Sequence, residues 1–131
     1  MPDLEEGLLN LREADGATVR VVVAGDTCPQ LFEASAVPDI LSGRGPGILR
    51  GVAPFLDDAD LRVVQWEVVL TDAETPIDKT GPNLKVPPAC AALAVQGRFD
   101  VALLANNHAG DYGPETALAT RAHLERRGVA T

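Results

Sequence analysis

The sequence predicts an α/β fold in which parallel strands form a layered sheet with helices on its flanks. Three apolar, β-branched segments are typical of buried strands: "ATVRVVVAG" at residues 17–25, "DLRVVQWEVVL" at 60–70 and "FDVALLA" at 99–105. Segments with helical character separate them, and strands separated by helices pair in parallel through right-handed crossovers. In such sheets, polar groups that bind ligands collect at the carboxyl ends of the strands.

The N-terminal part is expected to be a surface helix followed, after the first strand, by a loop. Leucines at positions 4, 8 and 11 have helical spacing and acidic residues lie between them, which predicts a helix over residues 1–16. Residues 29–47 are rich in proline and glycine and predict a loop with one short apolar piece. "GILRGVAPFLDD", at 47–58, predicts a helix that Pro54 kinks or ends.

The C-terminal part gives clearer helix signals. "PPACAALAVQG", at residues 87–97, has proline at its start and glycine at its end, and "GPETALATRAHLERRG", at 113–128, has the same arrangement. Residues 71–88 are rich in turn formers and predict either a long excursion or a strained hairpin. The final "VAT" at 129–131 is expected to begin a fourth strand.

Size and composition indicate one domain and exclude several classes of partner. The chain has 131 residues, with 46 % hydrophobic and 23 % charged, and a formal net charge of −8, which argues against nucleic-acid and anionic-membrane surfaces. No apolar stretch reaches the length of a membrane span, and the acidic N-terminus lacks the pattern of a signal peptide. The two cysteines are too few for a disulfide framework. A cytoplasmic location is therefore the default expectation.

Polar side chains follow each of the three predicted strands. Asp26 comes directly after the first, Glu67 lies at or near the end of the second, and Asn107 and His108 follow the third. If the strands are parallel neighbours, these groups meet at one edge. Two carboxylates, an amide oxygen and an imidazole suit a divalent cation such as Mn²⁺, Zn²⁺, Fe²⁺ or Mg²⁺. Taken singly, Asp26 also fits a turn, Glu67 a solvated edge, and the asparagines helix caps or left-handed backbone.

Other polar residues are weaker candidates for the same site. Asn106, Asp111 and Cys28 lie close in sequence to the predicted ligands, although Asp111 also fits a helix cap and Cys28 a structural thiol. Three basic residues of the irregular loops are candidates for contacting an anionic substrate, and equally fit ordinary surface charges: Arg44, Lys79 and Lys85. "SGRGPG" lacks the Gly-Lys-Ser/Thr ending of a phosphate-binding loop.

Four stretches together resemble the CapA family of capsule or poly-γ-glutamate synthesis proteins: "VVVAGDTCP", "DLRVVQWEVVLTD", "KVPP" and "FDVALLANNHAGDYG". The most specific is "ANNHAGDYG", which matches the family's Ala-Asn-Asn-His-x-x-Asp-Tyr-Gly signature without a mismatch. The resemblance covers residues 19–131 and implies a calcineurin-like metallophosphoesterase fold. It implies that Asp26, Glu67 and Asn107 hold metal and that His108 transfers a proton to a leaving group or steadies developing charge.

The sequence departs from that family in two ways. Gln65-Trp66-Glu67 replaces the family's Asn-Leu-Glu, which retains the acid but changes the pocket beside it. Family members continue for about as long again, with further histidine motifs, so residues 1–131 are expected to form a single, truncated domain that corresponds to the N-terminal half. Full-length members are often membrane-anchored and extracellular.

Three functions are consistent with these residues. The first is metal-dependent hydrolysis, or polymer synthesis on the same scaffold, acting on a small molecule or on a polyanionic or peptidic polymer. The second is a non-catalytic half-domain that binds an anionic polymer or a partner, with a second copy or another chain completing the fold. The third, a generic nucleotide-binding domain, is the weakest because no glycine fingerprint follows the first strand.

Overall fold

The computed structural model describes residues 4–5, 8–9, 16, 18–30 and 36–131. A 3₁₀ turn at Pro88–Ala91 leads into the fourth helix. In chain order the strands and helices are β1 (Leu4–Glu5), β2 (Leu8–Leu9), β3 (Val21–Thr27), α1 (Val37–Leu41), α2 (Gly45–Ile48), α3 (Ala53–Asp57), β4 (Leu61–Trp66), β5 (Val69–Leu70), β6 (Lys85–Val86), α4 (Ala92–Gln96), β7 (Val101–Leu103) and α5 (Pro114–Glu125).

The predicted parallel sheet is confirmed. Strands β3, β4 and β7 lie side by side in that order, and both neighbouring pairs are parallel. Ala130 forms a parallel bridge with Val101, so the predicted fourth strand begins on the outer side of β7. The carboxyl ends of all three strands therefore lie at the same edge.

The sequence predicts a helix over residues 1–16, but the structure has strands at 4–5 and 8–9, so the prediction is wrong at these positions. β1 and β2 pair as an antiparallel ladder, with Leu4 opposite Leu9. The sequence between them is Glu6-Gly7, and a two-residue connection containing glycine favours a hairpin over a helix. Apart from Gly16, the remaining residues of this prediction lie outside the described part of the chain, as do residues 31–35 of the predicted loop.

Prolines and turn formers divide the segments between the strands more finely than predicted. The helix expected over 47–58 is two short helices, because α2 ends at Ile48 and Pro54 occupies the first turn of α3. The predicted loop over 29–47 contains α1 and the start of α2. The second predicted strand stops at Trp66, and β5 pairs separately with β6 in parallel. Residues 71–84 are therefore an excursion and not a hairpin.

One face of the sheet carries the core. Val64, Trp66 and Ala102 are inaccessible on this face, and they pack with side chains from four helices: Ile40 of α1, Leu56 of α3, Leu93 and Ala94 of α4, and Leu124 of α5. Thr120 of α5 accepts a hydrogen bond from the Leu70 amide at 2.9 Å, which fixes the start of the excursion against this helix. The helices therefore hold the strand ends in place from one side.

In the part of the chain that the structure describes, the opposite face of the sheet has several exposed apolar side chains. Val21 and Val23 of β3 are 50 % and 68 % exposed, and Leu103 of β7 is 44 % exposed. The register places Val21 beside Leu61 and Leu103 beside Gln65, so these side chains share a face. Parallel sheets normally have both faces covered, which makes this apolar surface unusual.

Candidate functional site

Glu67 lies at the point where β4 ends, as the sequence predicts. Its amide donates to the Thr27 carbonyl at 3.3 Å, which joins the ends of β4 and β3. The side chain is only 14 % exposed, and its Oε2 atom is buried with no hydrogen-bond partner among the described residues. A buried carboxylate oxygen without a donor is costly unless a cation or a proton compensates its charge.

Asn106 fastens the loop after β7 to the end of β4. Its Nδ2 donates to the Trp66 carbonyl at 2.9 Å, and its Oδ1 accepts from the His108 amide at 2.8 Å. These two contacts fix the orientation of the amide group, because only the oxygen can accept and only the nitrogen can donate. Asn106 thus brings His108 to Glu67, a role that motif spacing alone does not reveal.

His108 is buried between two carboxylates. Its Nδ1 lies 2.8 Å from Oδ2 of Asp111, and its Nε2 lies 3.8 Å from Oε1 of Glu67. The shorter contact is a hydrogen bond and the longer one is not. If Nδ1 carries the proton toward Asp111, the neutral ring presents an unprotonated Nε2 to Glu67. A carboxylate that orients a histidine through one ring nitrogen while the other faces the reactive position is the usual arrangement around catalytic and ligating histidines.

Asp111 is inaccessible to solvent and connects the site to the excursion. Its Oδ2 accepts from the Leu84 amide at 2.6 Å, its Oδ1 from the Lys79 ammonium, and its carbonyl from the Ile77 amide at 2.9 Å. Burial by itself raises the pKa of the Asp111 carboxyl, but the hydrogen bonds from Lys79, His108 and Leu84 outweigh it, so the pKa lies below its ordinary value. Asp111 is therefore held as an anion.

The two remaining predicted ligands lie at the rim. Asn107 is exposed. Asp26 is also exposed, because the register shifts between Ala24 and Asp26 and leaves Gly25 as an extra residue. This bulge places Asp26 beside Gln65, on the open face, instead of beside Trp66 on the core face. Among the described residues, no three His, Cys, Asp or Glu side chains form a group that could hold a metal ion.

The other candidate residues have separate contacts. Arg44 pairs with Asp39 at 2.7 Å on the helical side of the molecule. The Lys85 ammonium donates to the Ala73 carbonyl and lies 5.1 Å from the centre of the Tyr112 ring. Cys28 is half-buried against the core. Of the three basic candidates, Lys79 is the one that the structure connects to His108. From its place in a loop, the sequence predicted for Lys79 only a contact with an anionic substrate.

These residues fit a divalent cation in part. Oε2 of Glu67, which has no hydrogen-bond partner in the described part of the chain, is a suitable oxygen donor, and Nε2 of His108, 3.8 Å from Oε1 of the same carboxylate, can present a lone pair beside it. Asp26 and Asn107 would supply the further oxygens from the rim. Among the described residues, Asp26 does not form a metal-binding group with Glu67 and His108, so the carboxylate of Glu67 is the best-defined part of the site.

A parallel α/β sheet with polar groups at its carboxyl edge defines the general class of this protein. Within that class, the family model of the bacterial capsule synthesis protein PGA_cap matches residues 20–131, and the chain belongs to this family. The match includes the end of every strand of the parallel sheet and the whole "ANNHAGDYG" motif. The resemblance to the CapA family is confirmed. No curated protein matches the chain.

The helices of this protein are short. In the part of the chain that the structure describes, none is both long and apolar enough to cross a membrane.

Proposed function

We propose that this protein acts in bacterial capsule synthesis through a divalent-metal site of metallophosphoesterase type, in which Glu67 binds the cation and His108 transfers a proton. Membership of the capsule synthesis family supports the biological role. The observation that carries the chemistry is the buried Oε2 atom of Glu67, which has no hydrogen-bond partner among the described residues, while Oε1 of the same carboxylate lies 3.8 Å from Nε2 of His108. Mn²⁺, Zn²⁺, Fe²⁺ and Mg²⁺ all accept this kind of oxygen donor.

The 3.8 Å separation between Glu67 and His108 supports this assignment over a plain ion pair. At this distance Nε2 of His108 and Oε1 of Glu67 do not share a hydrogen bond, so both atoms remain available to a ligand that lies between them. A cation beside Glu67 would relieve the repulsion between the carboxylate and the imidazole lone pair.

The residues around the site have complementary tasks in a hydrolytic reaction. A bound cation would offset the charge that develops on a phosphoryl or acyl oxygen. Water would attack the phosphoryl or acyl centre as the bond to the leaving group breaks, and His108, held by Asp111, would take up the proton of that water at Nε2 and deliver it to the leaving group. Asp26 and Asn107, exposed at the rim, would add oxygen donors where substrate and solvent meet. The substrate class is a small anionic molecule or an anionic, peptidic polymer of the poly-γ-glutamate type.

The test is hydrolysis of a phosphodiester probe and of a γ-linked glutamyl oligomer, each with and without added Mn²⁺. We expect metal-dependent turnover of one substrate, and a loss of about a hundredfold or more in kcat for His108→Gln. Glu74→Gln, which removes an exposed acid from the excursion, should retain wild-type turnover. Equal rates with Mn²⁺ and with a chelator would contradict the proposal.

A second candidate function is binding without catalysis, and the open sheet face favours it. Val21, Val23 and Leu103 present an apolar surface that another chain can cover. This candidate predicts self-association by light scattering that Val23→Lys abolishes, because a charge at a position that is 68 % exposed disrupts an interface without entering the core. A strictly monomeric wild type at high concentration would count against it.

A further inference from the structure

The side chain of Lys79, in the excursion, reaches into the site. Its side chain is only 19 % exposed, although lysine is normally a surface residue. The ammonium donates to Oδ1 of Asp111 and lies 3.3 Å from Nδ1 of His108. Lys79 thus belongs to a chain of contacts that continues through Asp111 and His108 to Glu67.

The role of Lys79 follows from the way in which Asp111 and Lys79 share Nδ1 of His108. Nδ1 of His108 cannot both donate to Asp111 and accept from Lys79. The separation to Asp111 is 2.8 Å and that to Lys79 is 3.3 Å, so donation to Asp111 is the dominant contact. By pairing with Oδ1, Lys79 keeps the second oxygen of an anionic Asp111 available for the His108 proton.

The backbone of the excursion is attached to the same residue. The Ile77 amide donates to the Asp111 carbonyl at 2.9 Å, and the Leu84 amide donates to Oδ2 at 2.6 Å. Asn83 in turn donates to the Ile77 carbonyl at 3.2 Å. The excursion therefore lies against the "ANNHAGDYG" loop through several bonds, one of which is the ion pair between the Lys79 ammonium and the Asp111 carboxylate.

We infer that Lys79 is a positioning residue for His108, because through Asp111 it fixes the tautomer and orientation of the imidazole. The packing of residues 71–84 against Asp111 therefore controls whether Nε2 faces Glu67 in its unprotonated form. The catalytic part of this inference rests on the proposed function, while the effect on the imidazole does not. On this inference, residues 71–84 form part of the site as well as connecting β5 to β6.

The first test measures the imidazole directly, in metal-free protein. The chain has two histidines, so His123→Gln leaves His108 as the single imidazole in long-range ¹H–¹⁵N spectra. In this background we expect one dominant tautomer with the proton on Nδ1, and comparable amounts of both tautomers in Lys79→Met. Lys79→Arg, which keeps a cation, should restore much of the original pattern. Lys85→Met is the matched control, because that lysine donates to the Ala73 carbonyl and not to Asp111.

The dispersion of backbone amide chemical shifts in NMR spectra shows whether each variant is folded. If Lys79→Met is unfolded, Lys79→Gln replaces it. Unchanged His108 signals in folded Lys79→Met or Lys79→Gln would overturn the inference. A change of the same size in Lys85→Met would overturn it as well, because the effect would then not be specific to Lys79.

The second test separates this inference from the proposed function. If metal-dependent hydrolysis is present, Lys79→Met should lower kcat by about 10- to 100-fold with KM little changed, as outer residues that orient a catalytic group do. An altered tautomer in a protein whose wild type has no such activity would support the positioning role and reject the proposed function. Undiminished kcat in Lys79→Met, with activity present in wild type, would overturn the catalytic part of the inference.

Discussion

Asp111 shows how a residue in a sequence motif acquires its role from distant parts of the chain. The motif places it three residues after His108, which brings its carboxylate within 2.8 Å of Nδ1. Its other partners, Lys79 and Leu84, lie 32 and 27 positions away in the sequence. Because the carboxylate is inaccessible to solvent, each of these contacts contributes more than it would at the surface.

Asp111→Asn is expected to destabilise the fold by about 3 kcal/mol, since it removes one partner of a buried charged network and leaves Lys79 without its counter-charge. Urea unfolding measures the difference. Asp57→Asn serves as the control, because Asp57 pairs with Arg98 on the surface, where the loss should be under about 1 kcal/mol. Equal effects of the two substitutions would contradict the central position of Asp111.

The stabilisation by Asp111 should depend on pH. The pKa of its carboxyl is lower in the folded protein than in the unfolded chain, so its contribution is complete above the unfolded value of about 3.9 and is lost as pH falls through the folded value. The difference in unfolding free energy between wild type and Asp111→Asn should therefore shrink as pH is lowered from about 7 to about 3. A difference that grows on acidification would show that the pKa is raised instead.

At the scale of elements, sequence patterns predict the strands well and the connections poorly. The three strands are recognisable because their β-branched, apolar runs reflect burial within one element. The break after Trp66 and the path of residues 71–84 depend on pairing with β6 and on bonds to Asp111, and neither leaves a local pattern. The bulge at Gly25, which moves Asp26 to the open face, likewise arises from pairing between strands.

The two glycines of the "ANNHAGDYG" motif should differ sharply. Gly113 has φ of +97°, and an added Cβ would lie 2.5 Å from a side-chain oxygen of Glu115, whereas nothing lies within 4 Å of a Cβ at Gly110 and its φ is not positive. Gly113→Ala should destabilise the protein by about 1–2 kcal/mol, because alanine strains the turn into α5. Gly110→Ala should change stability by less than about 0.5 kcal/mol, as thermal unfolding can show. The reverse order would contradict the geometry of this turn.

At the scale of the whole molecule, one covered and one open face of the sheet define the architecture. The core face packs against the helices, while the open face leaves Val21, Val23 and Leu103 accessible. The predicted fold class and the edge that carries Glu67 and His108 follow from strand order, which the alternation of strands and helices encodes. The wrong prediction at β1 and β2 arose because leucine spacing fits a helix as well as a short hairpin.

The packing of α5 against the sheet tests this architecture. Leu124 is inaccessible within the core, and Leu118 on the same helix is 68 % exposed. Leu124→Ala should lower the free energy of unfolding by about 2–5 kcal/mol through lost burial and a cavity. Leu118→Ala should lower it by less than about 0.5 kcal/mol. Comparable losses in urea unfolding would mean that α5 packs through a different face.

The proposed chemistry requires that the carboxylate of Glu67 hold a divalent cation beside His108. Titration calorimetry with Mn²⁺ tests it most directly, using wild type, Glu67→Gln and the charge-matched control Glu74→Gln. We expect saturable binding by wild type, affinity at least about tenfold weaker in Glu67→Gln, and wild-type affinity in Glu74→Gln. Absence of binding by wild type at millimolar Mn²⁺, or binding by Glu67→Gln that equals wild type, would contradict it.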